Sequence, residues 1–233
     1  MGGRTCPNCD AHIKPYDNVP VLSWLWLRGR CRACREPISA RYPLVELANA
    51  LFYLAIVQRT GPSIGFLPIA AIVSMILALI YIDAEIQILP DVIDLPGIVI
   101  GLGMGAAQLG GLYPDLVLST SLTDSILGAA GGGGCLLLIA LTYKLVRRIE
   151  GMGLGDVKLM AMFGAVMGWE PLFLILMLAS VTGAVVGVIA MTRSGKGMTD
   201  VALPFGVFLG IAALAMLFFG QSVMSLLLPL LSY

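Results

Sequence analysis

Two aspartates, Asp83 and Asp156, stand where apolar runs meet polar segments. Asp83 directly follows the run IAAIVSMILALIYI, and Asp156 closes the segment GMGLGD just before the next apolar run. A carboxylate at the bilayer centre costs about 2.5–3.5 kcal/mol on insertion scales, so an acid beside such a run needs a reason. Two facing carboxylates share one proton, and such a pair can activate water while polarising a peptide carbonyl. If the fold brought Asp83 and Asp156 together, the pair would have the chemistry of aspartyl peptide hydrolysis.

Asp83 also has a simpler interpretation. A lone aspartate beside an apolar run fits an interfacial acid or a helix cap. Three more acids follow in the same segment, namely Glu85, Asp91 and Asp94. Composition alone therefore does not choose among them.

The glycines before Asp156 make the second site more distinctive. Gly151, Gly153 and Gly155 permit backbone conformations and close approaches that other residues forbid. A Gly-x-Gly-Asp turn beside an apolar run is a more specific signal than a lone acid. The alternative is a plain junction between loop and helix, with Asp156 as the N-cap.

Four cysteines form two Cys-x-x-Cys pairs near the start of the chain, Cys6 with Cys9 and Cys31 with Cys34. Two such pairs suit a tetrahedral zinc ion held by four thiolates, and a closed site of this kind is structural. The alternatives are two redox or incidental pairs, or His12 replacing one cysteine. The same histidine is the only one in the chain, which argues against Ser-His or Cys-His catalysis.

The composition indicates a polytopic membrane protein. Hydrophobic residues make up 58% of the 233 residues and charged residues only 12%, against about 25% charged residues in a soluble domain. The formal net charge of zero gives no reason to expect a nucleic-acid partner.

The apolar runs predict an all-α bundle. A polar segment, residues 1–43, precedes the runs and forms a small zinc module, and residues 44–233 form the transmembrane domain. We predict about seven spans, of which 157–168 is too short to cross alone. The predicted spans are 44–58, 64–82, 95–112, 121–143, 157–168, 171–192 and 204–231, and the last has a possible break at Gly220-Gln221.

The basic residues predict the orientation. All 14 except Arg59 lie before the first span, between the fourth span and the start of the fifth, or between the sixth and the seventh. With alternating spans these regions share one side, which the positive-inside rule assigns to the cytoplasm. We therefore expect residues 1–43, 83–94, 144–156 and 193–203 to face the cytoplasm, together with both aspartates.

Four segments in order resemble the type IV prepilin peptidase family, whose members are Gly-x-Gly-Asp membrane aspartyl proteases. DAEIQILPDVIDLPG from Asp83 is similar to the first catalytic motif, and GMGLGDVKLMA from Gly151 is similar to the second. Residues 6–46 resemble the cytoplasmic zinc loop of the family, and LPFGVFLG around Pro204 resembles a further family segment. The resemblance covers nearly the whole chain from Cys6.

The resemblance implies a site and a function. Asp83 and Asp156 would be the catalytic aspartates, and Cys6, Cys9, Cys31 and Cys34 would bind Zn²⁺. The substrates would be prepilins and pseudopilins, whose short basic leader is removed at the cytoplasmic face of the bacterial inner membrane. Members with the cysteine loop usually also methylate the new N-terminus with S-adenosylmethionine.

Two features depart from the family pattern. Such members normally carry a transmembrane helix before the zinc loop, and the five residues before Cys6 do not contain one. Position 94, often neutral in the family, is an aspartate here. Glu46 fits either a contact with the site or substrate, or else an ion pair or an interface acid.

Two other classes of protein share some of these features. A proton-coupled transporter uses membrane acids as a relay, but needs them deep within spans rather than clustered at one face. A zinc-dependent assembly scaffold uses the cysteine loop without catalysis. Neither the oligomeric state nor the particular pilin follows from the sequence.

Overall fold

The computed structural model describes residues 5–148, 153–194 and 203–231. Gly151 of the second motif and the basic residues Arg4 and Lys196 of the charge pattern lie outside the described residues. The chain forms two compact units, Met1–Ile56 and Val57–Tyr233, called here the N-terminal unit and the helical unit. The division at residues 43 and 44 that the sequence suggests stays a prediction, because helix α2 runs continuously across it.

The N-terminal unit contains two short loops that carry the cysteine pairs Cys6–Cys9 and Cys31–Cys34, called here the knuckles, and ends in the first part of a long helix. A 3-10 turn at Pro15–Asn18 and helix α1 (Leu22–Trp26) lie between the knuckles. Each knuckle is closed by an isolated antiparallel bridge, Thr5 with His12 and Arg30 with Pro37. Helix α2 (Arg41–Thr60) then leads out of this unit into the helical unit.

Among the residues that the structure describes, the helical unit contains seven helices after α2. They are α3 (Phe66–Ile86), α4 (Asp91–Ala106), α5 (Leu109–Leu112), α6 (Leu122–Arg147), α7 (Leu154–Met167), α8 (Leu172–Ser194) and α9 (Phe205–Leu231). Within the described ranges, four helices are long and apolar enough to cross a membrane: Phe66–Ile86, Leu122–Arg147, Leu172–Arg193 and Phe205–Val223. The protein is therefore an all-helical, multi-pass membrane protein, while a total of about seven spans stays a prediction.

Helix α7 is the centre of the bundle. It packs against α4, α6, α8 and α9, and its last six residues, 162–167, are all buried. A helix that is apolar on every side belongs in a protein interior. Its closest partner is α6, where a Cβ added at Gly164 would lie 2.0 Å from the carbonyl oxygen of Gly128. The two backbones are in direct contact because neither residue has a side chain.

The predicted apolar runs correspond closely to the helices, with two informative differences. The run 95–112 is not one helix, because α4 ends at Ala106 and Gln108 adopts a left-handed backbone (φ 54°) before α5 begins. The possible break at Gly220-Gln221 is absent, since α9 continues to Leu231. The short run 157–168 is the 14-residue helix α7, which stops at Gly168 with φ 80°.

Candidate active site

Asp83 lies at the end of α3, close to the start of α9. The helix ends three residues later because Gln87 takes a left-handed backbone (φ 54°) and donates its N–H to the carbonyl of Asp83. The Asp83 side chain is only 5% exposed, and its Oδ2 accepts a hydrogen bond from the Val207 backbone N–H at 3.0 Å. The carboxylate of Asp83 is thus held by the first turn of another helix.

Asp156 lies in the first turn of α7 and is half-buried. The N-cap of this helix is Gly153, so the alternative that Asp156 serves as the N-cap is wrong. The charge of Asp83 acts electrostatically on the carboxylate of Asp156. The fold therefore places the two acids, 73 positions apart in the sequence, in one region of the bundle.

Leu89, in the turn between α3 and α4, joins the two halves of this site. A Cβ added at Gly155, next to Asp156, would lie 2.9 Å from Cβ of Leu89. A Cβ added at Gly206 would lie 3.1 Å from Cδ1 of Leu89 and 2.9 Å from Oδ2 of Asp83. The two glycines allow one leucine to touch the first turns of both α7 and α9, which brings the end of α3 beside them.

The remaining acids of the first motif occupy different environments. Glu85 and Asp91 are exposed. Asp91 forms an ion pair with Lys158, whose Nζ lies 2.6 Å from Oδ1 and 2.8 Å from Oδ2 of the carboxylate. This pair links the first turns of α4 and α7. Asp83 is buried, whereas its neighbours Glu85 and Asp91 are exposed. Burial therefore distinguishes Asp83 from these two acids, and composition alone does not.

Asp94 is the residue whose placement the sequence reasoning did not explain. Its side chain is fully buried, and neither carboxylate oxygen has a hydrogen-bond partner within the described part of the chain. It interacts electrostatically with Asp91, Lys158 and Asp156. The spacing of residues in the sequence was a signal for this burial. Asp94, Gly97 and Gly101 follow the helical repeat and form the buried face of α4.

The four cysteines of the N-terminal unit converge on one point. Their Sγ atoms all lie within 4.8 Å of one another, and the Sγ atoms of Cys6 and Cys34 are 3.9 Å apart. Four Zn–S bonds of about 2.3 Å in a tetrahedron place sulfurs about 3.8 Å apart. The donor set and its spacing therefore fit a Zn²⁺ ion, and a metal site at these cysteines is consistent with the structure.

The two knuckles have matching backbones. Cys6 N–H donates to Ala11 and Asp10 N–H donates to Cys6, and the second knuckle repeats this pattern with Cys31, Glu36 and Arg35. The residue after each pair, Asp10 or Arg35, has a positive φ. Backbone N–H groups of Cys34 and Ala33 lower the pKa of the Cys31 thiol to about 7, which favours the thiolate that a metal binds.

Glu46 acts within the N-terminal unit. Its Oε2 accepts a hydrogen bond of 2.8 Å from the backbone N–H of Val21, a β-branched residue held at φ 60°. Such a backbone conformation is strained for valine. This bond fixes the turn before α1, while the two sequence interpretations of Glu46 stay predictions.

Comparison with known proteins identifies two matching family models. Residues 2–60 match the bacterial peptidase A24 N-terminal domain, and residues 70–188 match the type IV leader peptidase family. No solved structure matches the chain.

Relatives named prepilin leader peptidase/N-methyltransferase align with most of the chain. The one from Aeromonas hydrophila is 40% identical over 94% of this chain and 72% of its own length. The one from Pseudomonas putida is 40% identical over 98% and 76%, and the one from Burkholderia pseudomallei is 41% identical over 92% and 66%. On the strength of this identity and of the family models, the chain belongs to the type IV leader peptidase family.

Proposed function

We propose that this protein removes the leader peptide from type IV prepilins and pseudopilins by an aspartate-pair mechanism with Asp83 and Asp156. The names of the relatives support the substrate class. The observation that supports the mechanism is the pairing of two carboxylates, from the end of α3 and the start of α7, within one electrostatic environment. The transporter and scaffold alternatives are not favoured by these relatives.

The chemistry follows from one proton shared by two acids. The ionised carboxylate takes a proton from water as the water oxygen attacks the peptide carbonyl carbon. The protonated carboxyl donates its proton to the carbonyl oxygen, and a tetrahedral intermediate forms. Its collapse breaks the C–N bond and returns a proton to the leaving amine. In such a mechanism the charge states belong to the pair rather than to either residue.

The site is built to keep this pair in position. Val207 N–H fixes one oxygen of Asp83, and Leu89 sits against both glycine-containing first turns. Catalytic groups must be held within about 0.5 Å of their productive positions. Close packing around Leu89 supplies that restraint.

The N-terminal unit would hold a structural Zn²⁺ through Cys6, Cys9, Cys31 and Cys34. When bound, the ion would cross-link the two knuckles. The four cysteines would fill all of its coordination positions, so none would be open. The relatives' names also include N-methyltransferase. We therefore include methylation of the new N-terminus with S-adenosylmethionine in the proposal, without assigning residues to that cofactor.

The proposed location is the bacterial inner membrane, with the site at the cytoplasmic face. This part rests on the distribution of basic residues. Single cysteines in residues 144–148 of a cysteine-free variant should react with a membrane-impermeant label from the cytoplasmic side of sealed vesicles. Labelling from the periplasmic side would reverse the orientation.

The decisive experiment measures prepilin cleavage by purified variants at equal protein concentration. Asp83→Asn and Asp156→Asn should each reduce the rate by about 10³-fold or more, because Asn cannot exchange a proton. The double variant should be little worse than either single variant, since groups that act as a unit are not additive.

Asp91→Asn is the matched control. Asp91 lies in the same motif but is exposed and paired with Lys158, so substantial activity should remain. Near-normal cleavage by Asp83→Asn or Asp156→Asn would eliminate the mechanism. Mass analysis of the product with and without S-adenosylmethionine tests methylation in the same assay.

A further inference from the structure

Helix α1 in the N-terminal unit presents an apolar face to its surroundings. Leu22, Leu25 and Trp26 are 65%, 59% and 83% exposed, and the helical spacing places them on one side. Trp24 instead turns inward, donates its Nε1–H to the carbonyl of Ile38 at 3.0 Å and packs over Gly29. We call Leu22, Leu25 and Trp26 the α1 patch. Three large apolar side chains on a small polar unit indicate a partner other than water.

An arginine-lined cavity adjoins this patch. It has a volume of about 550 Å³, and its lining residues are Trp26, Leu27, Arg28, Arg30, Arg32 and Arg35. The lining includes no acid. Asp17 binds Arg32 from outside the lining, with Nε 2.8 Å from Oδ2. The cavity therefore concentrates positive charge beside an exposed indole and suits an anionic ligand.

The turn after α1 fixes the arginines next to the patch. Gly29 N–H donates to the Trp24 carbonyl at 2.8 Å, and Arg30 N–H donates to the Leu27 carbonyl at 3.2 Å. Ile38 N–H in turn donates to the Gly29 carbonyl at 2.7 Å. These bonds hold the apolar face and the arginines in one local structure, so both features can meet the same partner.

The charge of each possible partner decides whether it suits the α1 patch and the arginine cavity. A basic leader peptide would be repelled by clustered arginines. S-adenosylmethionine carries a sulfonium and an amino group against one carboxylate, so it is a net cation and is disfavoured for the same reason. A bilayer surface with anionic headgroups offers phosphates to guanidinium groups and an acyl boundary to leucine and tryptophan side chains.

We propose that the α1 patch and the arginine cavity bind the surface of an anionic phospholipid bilayer. Trp26, Leu22 and Leu25 enter the boundary between headgroups and acyl chains, and the cavity receives headgroup phosphates. The N-terminal unit is thereby held against the membrane by its own lipid contacts. This proposal stands independently of the peptidase mechanism.

The test uses the full chain in nanodiscs of mixed phosphatidylcholine and phosphatidylglycerol. Two matched preparations carry bromine, a quencher of tryptophan fluorescence, on the acyl chains of only one of the two lipids. Trp26→Phe keeps an apolar side chain, so the difference from the unaltered protein isolates the emission of Trp26. That emission should be quenched in both preparations and at least twofold more by brominated phosphatidylglycerol.

Replacing Arg28, Arg30 and Arg35 together by Gln should abolish the preference for the anionic lipid. Trp169, in the helical unit, serves as the internal control and should show the same quenching in both proteins. A thermal unfolding curve in detergent that matches that of the unaltered protein reports whether the variant is folded. Unquenched Trp26 emission, equal quenching by both lipids, or an unchanged preference in a folded Gln variant would each overturn the proposal.

Discussion

Replacing Gly206 by Ala tests the Asp83 site without altering either aspartate. The added methyl group would lie 2.9 Å from Oδ2 and 3.1 Å from Cγ of Asp83, and 3.1 Å from Cδ1 of Leu89. Nonbonded carbon atoms prefer separations of about 3.5–4.0 Å, so the carboxylate must move by about half an ångström. Such a shift breaks the 3.0 Å hydrogen bond from Val207 N–H.

The magnitude follows from the lost bond and the displacement. A hydrogen bond to a charged group contributes about 1.5–3 kcal/mol, which corresponds to about 10- to 100-fold in rate if the transition state depends on it. Overpacking costs about 1–3 kcal/mol of folding free energy, which the better helix propensity of alanine offsets by about 1 kcal/mol. We expect kcat/KM for prepilin cleavage to fall by about 10- to 100-fold while the protein stays folded.

Gly103→Ala is the control for this prediction. Gly103 also lies in a helix of the bundle, and among the described residues no heavy atom outside its chain neighbours and the local backbone of its own helix lies within 4 Å of an added Cβ there. Its kcat/KM should stay within about twofold of the unaltered protein. If Gly206→Ala cleaves as fast as Gly103→Ala, Asp83 is not held as described. In an Asp83→Asn background, Gly206→Ala should cause no further loss, because it acts through the same carboxylate.

Three further predictions concern stability and metal content. Gly164→Ala should destabilise the protein by about 3 kcal/mol or more, because its Cβ would meet the Gly128 backbone. Gly131→Ala, with open space around the new methyl, should not lower Tm in detergent, and equal effects of the two would contradict the packing. Cys31→Ser should reduce zinc from about one equivalent, as measured by mass spectrometry, because three thiolates leave the site open. Unchanged zinc would argue against the four-cysteine site. Asp94→Thr should increase the free energy of unfolding by about 1–3 kcal/mol and so raise Tm, because it removes a buried carboxylate that has no hydrogen-bond partner among the described residues and can bond the carbonyl one turn earlier. A lower Tm would show that Asp94 has a stabilising partner.

The sequence predicted the helices well because a backbone in lipid must form its hydrogen bonds internally. Apolar runs must become helices in a membrane, and each predicted run except 95–112 corresponds to one helix of similar bounds. The break after Ala106 was missed because it depends on one left-handed residue, Gln108, within a glycine-rich stretch. Glycine composition signals flexibility, but it does not say which peptide will turn.

The sequence predicted the residue types that form the site better than it predicted how these residues pack together. The spacing within each Cys-x-x-Cys pair is local, so the cysteine cluster followed directly from it. The resemblance singled out Asp83 and Asp156, yet no local rule reveals that Leu89 lies against Gly155 and Gly206. Asp94 was counted as an additional acid because its burial depends on packing between α4 and α7, which one sequence does not show.

The length of α7 has a consequence for the depth of the proposed site in the membrane. Its 14 residues rise by about 21 Å, whereas the hydrocarbon core is about 30 Å thick. Because α7 is enclosed by other helices and is about 9 Å shorter than the core, at least one of its ends would lie beneath the headgroups. A recessed first turn would place Asp156 at the depth of the acyl boundary. A scissile bond next to an apolar segment can then reach the carboxylates while that segment stays in lipid, and bilayer thickness becomes a determinant of substrate access.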